Sequence, residues 1–268
     1  MQLEVLSRKA EDSGGRPPLL FVHGSAHAAW CWDDDFLPWF ASAGFDSYAI
    51  SVRGHGKSEG ADGLRWASVR DYVDDVREVA RLFPAPPVLI GHSLGGLVVQ
   101  KYLERFDAHG AILLASSPVG GMLRSGARLF VRRPILFAKV YLTLNPGVLY
   151  GTRHDVRDFL FSAHASDEAV GDCARRLGPE SFRAMFEMTH NLPDVGRIRR
   201  RRCPMLVIGG GADVVVPPHE IEATAAAYGA PCTIFPDIGH DLMLDVGWES
   251  VAEHMQDWLA ARMSHAVL

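Results

Sequence analysis

Pro87-Val88-Leu89-Ile90-Gly91-His92-Ser93-Leu94-Gly95-Gly96 is the stretch that decides how this chain folds. It sets G-x-S-x-G (Gly91, Ser93, Gly95) between a short apolar run and a helical pattern. A serine presented on a sharp strand-to-helix turn sits on strained backbone, and its flanking positions must be glycine to avoid clashes. The helix that follows points its positive end at the spot where an oxyanion would develop. A plain glycine turn is the competing reading. The context of strand, turn and helix favours a nucleophile at Ser93.

Outward from this stretch, short apolar runs alternate with helical patterns, the signature of a parallel sheet covered by helices. The expected strands are Leu3–Leu6, Leu19–Val22, Ser47–Val52, Val88–Ile90, Ala111–Leu114, Met205–Ile208 and Thr233–Phe235. Several are unbroken Val/Ile/Leu runs, as strands buried on both faces should be. Helices are expected at Asp34–Ala43, Val69–Phe83, Leu94–Phe106, His219–Tyr228 and Trp248–Met263. In Val69–Phe83 the apolar residues follow the three-four spacing of one helix face.

That rhythm stops after Pro118. The stretches Met122–Tyr141, Asp155–His164, Asp167–Leu177 and Glu180–Thr189 read as helices, with no convincing strand among them. The expectation is a core of residues 1–117 and 198–268, with residues 118–197 inserted as a helical cap over the strand ends. The insertion is rich in Leu, Phe, Met and Tyr. Two readings stay open: an apolar lid over a substrate, or helices bound to one another and to the core. The basic run Arg199–Arg202 reads as a solvated linker before the next strand in preference to an anion site.

Three further segments share the context of the serine turn. Leu20-Phe21-Val22-His23-Gly24-Ser25 is a glycine turn straight after an early buried strand. Gly209-Gly210-Gly211-Ala212-Asp213 puts a carboxylate just past a late one, and Ile238-Gly239-His240 follows the last. With Arg53-Gly54-His55-Gly56-Lys57-Ser58, these resemble the corresponding loops of the α/β-hydrolase superfamily, and the resemblance spans nearly all of the chain outside the insertion. It implies a mostly parallel sheet of about seven strands flanked by helices. It also implies Ser93 as nucleophile, His240 as general base and Asp213 as the acid that orients the histidine, in the order Ser…Asp…His. The oxyanion would then be held by the N–H groups of Ser25 and Leu94. Some relatives take the acid from the preceding strand, but Ala115, Ser116 and Ser117 stand there, which favours Asp213. Asp237, Asp241 and Asp245 read as loop or helix-cap residues, and Arg53–Ser58 as structural.

The resemblance narrows further. Epoxide hydrolases and haloalkane dehalogenases of this superfamily use an aspartate nucleophile. His23-Gly24-Ser25-Ala26-His27-Ala28-Ala29-Trp30 resembles plant methyl esterases and their hydroxynitrile-lyase cousins, and the lyases carry threonine in place of Gly24 and lysine in place of Asp241. The expected activity is therefore hydrolysis of a carboxylic ester of a small, apolar substrate through an acyl-enzyme. An acyltransferase or thioesterase with the same triad, or a ligand-sensing protein, is the alternative.

Composition sets outer bounds. At 268 residues, 48% hydrophobic and 22% charged, the chain can bury a full core, and its net charge of −5 argues against a nucleic-acid partner. The N-terminus has no secretory pattern, and the longest apolar stretch, Leu129 to Tyr150, is broken by Arg132, Arg133, Pro134, Lys139 and Pro146, so no membrane span is expected. Four scattered cysteines without a C-x-x-C pair suit free thiols in the cytoplasm. Neither a metal nor an organic cofactor is expected, because donor spacing and a dinucleotide fingerprint are both lacking. The sequence leaves the oligomeric state open.

Overall fold

A computed structural model describes residues 1–263. Its seven strands are β1 (Glu4–Arg8), β2 (Leu19–Val22), β3 (Ser47–Ser51), β4 (Val88–His92), β5 (Gly110–Leu114), β6 (Met205–Gly210) and β7 (Cys232–Phe235). They form one sheet in the order β1-β3-β2-β4-β5-β6-β7. Only β1 runs antiparallel, with Val5 opposite Ile50. β2, β4, β5 and β6 are buried along their whole length, which is why they read as continuous apolar runs.

Successive side chains of a strand point to opposite faces, so each strand feeds two cores. Along β2, Leu20 and Val22 join one cluster while Leu19 and Phe21 join the other. α1 (Trp30–Asp33) and α2 (Phe36–Ser42) supply Trp32, Phe36 and Phe40 to the second. α3 (Val69–Ala80) and α4 (Leu94–Leu103) cover the first. Ser68 starts α3 with a reciprocal cap, its Oγ accepting from the Asp71 amide and its own amide donating to the Asp71 carboxylate. Val69, Val73, Val76 and Val79 then go into the core, at about 1.5–3 kcal/mol for each side chain removed from water.

Between β5 and β6 lie six α-helices, a short 3-10 helix at Pro146–Tyr150 and no strand: α5 (Leu123–Arg132), α6 (Pro134–Thr143), α7 (Arg153–Leu160), α8 (Asp167–Arg176), α9 (Phe182–Glu187) and α10 (Val195–Arg200). α11 (Pro218–Tyr228) returns to the first face and α12 (Trp248–Met263) to the second.

Three helix expectations need correcting. Met122–Tyr141 is two helices, because Pro134 has no N–H for a continuing helix and forces Arg133 to φ −139°, ψ 61°. Within Asp34–Ala43 the helix is shorter than expected, α2 starting only at Phe36 because Asp35 leaves the helical region (φ −121°, ψ −62°). The run Arg199–Arg202 is no simple linker: Arg199 and Arg200 close α10, which Asp194 caps by accepting from the Arg197 amide at 2.9 Å. No helix among the described residues is long and apolar enough to cross a membrane.

The chain runs from β2 outward to β3, then crosses to the opposite side of β2 for β4. Loops leaving the carboxyl ends of β2 and β4 therefore part in opposite directions, and the crevice between them is where open α/β sheets bind ligands. Gly24 and Ser93 stand at those two ends.

Candidate active site

Ser93 joins β4 to α4 with φ 50° and ψ −116°, a conformation costing a non-glycine residue about 1–3 kcal/mol. The turn closes tightly against β2. A Cβ on Gly95 would stand 2.4 Å from the carbonyl oxygens of Val22 and His23, and one on Gly91 would stand 2.5 Å from Gly95 O. Residues distant along the chain meet here. Ser93 Oγ donates to His240 Nε2 at 2.9 Å, and His240 Nδ1 donates to Asp213 Oδ2 at 2.7 Å. All three side chains are buried. Asp213 is aimed by its other oxygen, which accepts from the amides of Val215 (2.7 Å) and Val216 (2.9 Å). Burial alone would lower the proton affinity of His240. The Asp213 carboxylate outweighs it and holds the imidazole above the ordinary histidine value.

The amides of Ser25 and Leu94 donate to no protein acceptor among the described residues. Leu94 opens α4, whose first amides have no acceptor within the helix. The peptides around Ser25 are pinned. Gly24 O accepts from His23 Nδ1 (2.8 Å) and from the His27 amide (3.3 Å), while Ser25 O accepts from His27 Nδ1 (2.9 Å). Ala26, at φ 63°, is gripped at both ends. Its N–H donates to Glu180 Oε2 (3.1 Å) and its carbonyl accepts from the Gly178 amide (2.8 Å). Glu180 is itself buried, accepting from Tyr72 OH (2.8 Å) and the Ser181 amide (2.6 Å), with His55 Nε2 3.4 Å away. Burial would push its carboxyl up. His55 and these donors prevail and bring it down to about 2.

The histidine loop is fixed from three sides. Asp245 accepts from the amides of Gly239 (2.8 Å) and Ser162 (2.7 Å), the Asp241 amide donates to Leu160 O (2.8 Å), and His92 Nε2 donates to His240 O (3.0 Å). Behind it, His27 Nε2 lies 2.9 Å from Asp241 Oδ2, with both groups buried. Despite burial, each holds the other charged: His27 is raised and Asp241 lowered. With Cys173 they bring three potential metal donors within 4.8 Å, but burial pushes the Cys173 thiol far up and His27 already holds the carboxylate.

The sequence pattern of the Alpha/beta hydrolase family matches residues 19–254. This chain is an α/β-hydrolase. The hydrolase is 26% identical over 244 residues to a Mycobacterium tuberculosis protein provisionally named non-heme bromoperoxidase BpoC, covering 86% of this chain and 89% of that one. The crystal structure of BpoC superposes with a TM-score of 0.77 at 23% identity, over 98% of this chain and 97% of that one. A monoacylglycerol lipase of Mycolicibacterium smegmatis is 22% identical over 264 residues, 94% of this chain and 91% of its own. A thermophilic esterase from Thermogutta terrifontis gives a TM-score of 0.76 at 20% identity, over 97% and 93% of the two chains.

A cavity of about 480 Å³ in this hydrolase is bordered by Ser25 and Ser93 and walled by the inserted helices, through Leu129, Phe137, Val140, Phe159 and Phe182 among others. Position 24 bears on the comparison with lyases. A Cβ there would fall 2.6 Å from His92 Nδ1, so a threonine has no room. Sequence reasoning brought Ser93, His240, Asp213, Ser25 and Leu94 to this site, read Asp241 and Asp245 only as loop or cap residues, and assigned no role to Glu180 or His27. The signal for Asp241 was its place beside His240. Glu180 gave none, since its partner Ala26 lies 154 residues away.

Proposed function

We propose that this hydrolase cleaves the carboxylic ester of a small, apolar substrate through an acyl-enzyme. Ser93 is the nucleophile, His240 the general base and Asp213 the residue that orients the imidazole and steadies its charged form. The observation that carries this reading is the unbroken path from Asp213 through His240 to Ser93 Oγ, at a cavity edge beside two amides that have no partner among the described residues. Ser93 Oγ attacks the ester carbonyl as its proton passes to His240 Nε2. The carbonyl oxygen becomes an oxyanion held by the N–H groups of Ser25 and Leu94. The carbon–oxygen bond to the alcohol breaks, and His240 returns the proton to that alcohol. Water, deprotonated by His240, then attacks the acyl-enzyme, releasing the acid and restoring Ser93.

Residues 118–197 act as a helical cap whose apolar inner side takes the acyl or alkyl part of the substrate. The cavity supports this, being mostly apolar and of a size usual for small-molecule sites. The names of the esterase and lipase relatives point the same way. None of the four cysteines is paired in a disulfide, which suits the reducing cytoplasm.

A fluorophosphonate should label Ser93 stoichiometrically, and Ser93→Ala should lose both labelling and p-nitrophenyl ester turnover. A panel of p-nitrophenyl esters of increasing chain length, with a lactone and an acyl-CoA alongside, reads the substrate class. Preference for acetate over every longer chain would refute the apolar cap. Products formed with an added alcohol would reveal acyl transfer.

A further inference from the structure

From Ala108 to His154 the chain contains no Asp or Glu, although it holds 32 acidic residues and a net charge of −5 overall. Within that acid-free stretch lie α5 and α6, joined at the Pro134 break and packed through the rings of Phe130 and Phe137. Each helix has two faces. Leu129, Phe137 and Val140 line the cavity, while Leu123 (69% exposed), Val131 (77%), Ile135 (74%) and Leu142 (85%) face solvent. α6 is apolar nearly all round, a composition normal for a helix inside a core, yet Val140 is its one buried residue. Contiguous exposed apolar surface of this kind on a globular chain marks an interaction site.

The charges beside it choose the partner. Arg128 is committed to Glu220 and Arg133 to Asp155, but Arg124, Arg132 and Lys139 are exposed and form no ion pair among the described residues. Exposed apolar side chains interspersed with free cations, with no anion among them, match a layer that is anionic at its surface and apolar just beneath. An acidic protein would satisfy the cations and leave four large aliphatic side chains unexplained.

The geometry points to the outer face of α5–α6 as a docking surface for an anionic lipid bilayer. Val131, Ile135 and Leu142 enter the acyl boundary while Arg124 and Lys139 hold lipid headgroups; Arg132 borders the cavity on the other side of α5 and takes no part. Docked this way, the leaflet and the cavity lie on the two sides of the same pair of helices, one helix thickness apart. A single-chain amphiphile can then reach the cavity without crossing water. Docking stands whether or not Ser93 is the nucleophile; delivery of an ester to that serine rests on the preceding functional reading.

The test is flotation of the full chain carrying Ser93→Ala with vesicles of phosphatidylcholine alone or phosphatidylcholine mixed with phosphatidylglycerol, at low and high salt. The expected result is association with the mixed vesicles, weakened by salt and by removal of phosphatidylglycerol. Two surface pairs outside the cavity lining are then compared, Val131→Ser with Ile135→Ser, and Arg124→Gln with Lys139→Gln. Each should lower the partition coefficient by about tenfold or more while turnover of a soluble p-nitrophenyl ester in the Ser93 background stays at the parent level. Absence of association, association indifferent to the anionic lipid, or either pair binding like the parent would overturn the proposal. So would a concentration-dependent dimer abolished by Val131→Ser with Ile135→Ser in a chain that ignores vesicles, which would assign the face to a second copy. Vesicle binding with no ester turnover would leave docking intact and refute the esterase reading alone.

Discussion

Glu180→Gln separates fold from function at the Ser25 turn. The carboxylate collects donors on both oxygens: Tyr72 OH and the Ser181 amide on Oε1, the Ala26 amide on Oε2, with His55 beyond. An amide of the same shape has one accepting oxygen. The shorter bonds, 2.6 and 2.8 Å, keep that oxygen on the Ser181 and Tyr72 side. The NH2 group then faces the Ala26 N–H, donor against donor, and a buried backbone amide left unsatisfied costs about 1–3 kcal/mol. Ala26 remains in its left-handed conformation only through the Gly178 amide, so the Ser25 peptide is less firmly aimed. Full loss of an oxyanion donor costs on the order of 10²–10³ in kcat, and a misaimed one about ten- to a hundredfold. Kinetics on a soluble ester should therefore show kcat reduced by about that factor at nearly constant KM. Affinity for a boronate or trifluoromethyl ketone, whose tetrahedral adduct puts an oxygen in the same place, should weaken in parallel. A lowered melting temperature with parental kcat and parental analogue affinity would refute the reasoning, leaving Glu180 a purely structural clamp.

Other consequences follow from the same geometry. Because the proposed role of His240 as base requires its neutral form and Asp213 holds its pKa above the usual 6.5, kcat/KM should rise with pH through a midpoint above that value. Asp213→Asn should move the midpoint down and lower kcat by on the order of 10⁴; an unmoved midpoint in the pH–rate profile would contradict this. Gly95→Ala forces a Cβ onto the Val22 and His23 carbonyls and should cost about 3 kcal/mol in chemical denaturation, with an unchanged midpoint counting against it. His23 is held neutral, lowered to about 3 by burial and by His55, so below 6.5 the unfolded chain takes up a proton that the folded one refuses. Stability is thus lost through this group as pH falls from 6.5 towards 3, by about 1.4 kcal/mol per pH unit. His23→Asn should flatten the acid limb of the stability curve by that slope, measured by urea titration against pH.

How much of this was legible in the sequence depends on the range of the interaction. β2 and the strand part of Pro87–Gly96 could be read because burial on both faces demands continuous apolar runs. The serine turn could be read because close approach demands glycine. Boundaries set by one local residue, as at Arg133 before Pro134, were visible in principle and overlooked because the apolar pattern ran on through the proline. Glu180 gave no signal, and Asp241 and Asp245 could be read only as loop or cap residues, for a different reason. Each is a buried acid whose meaning lies in partners brought up by folding: Ala26 and Tyr72, His27, and Ser162. In the sequence they look like any surface carboxylate.

The segment between β5 and β6 is sewn to the core from the end of α7 onward, through Leu160 and Ser162 as well as through Glu180 and its neighbours, and much less along α5 and α6. Besides the Glu180 contacts, Ser181 Oγ donates to Ala67 O (2.6 Å), and Glu187 accepts from the Val69 amide at the start of α3 (2.9 Å). α5 and α6 reach the rest of the chain mainly through Ser125 Oγ on Val215 O and the two arginine pairs. Grafting a relative's whole insertion onto this core would unstitch α3 and the Ser25 turn together. Exchange limited to α5 and α6 would leave those seams intact, so the portable unit for engineering is a helical hairpin and not the full segment between β5 and β6.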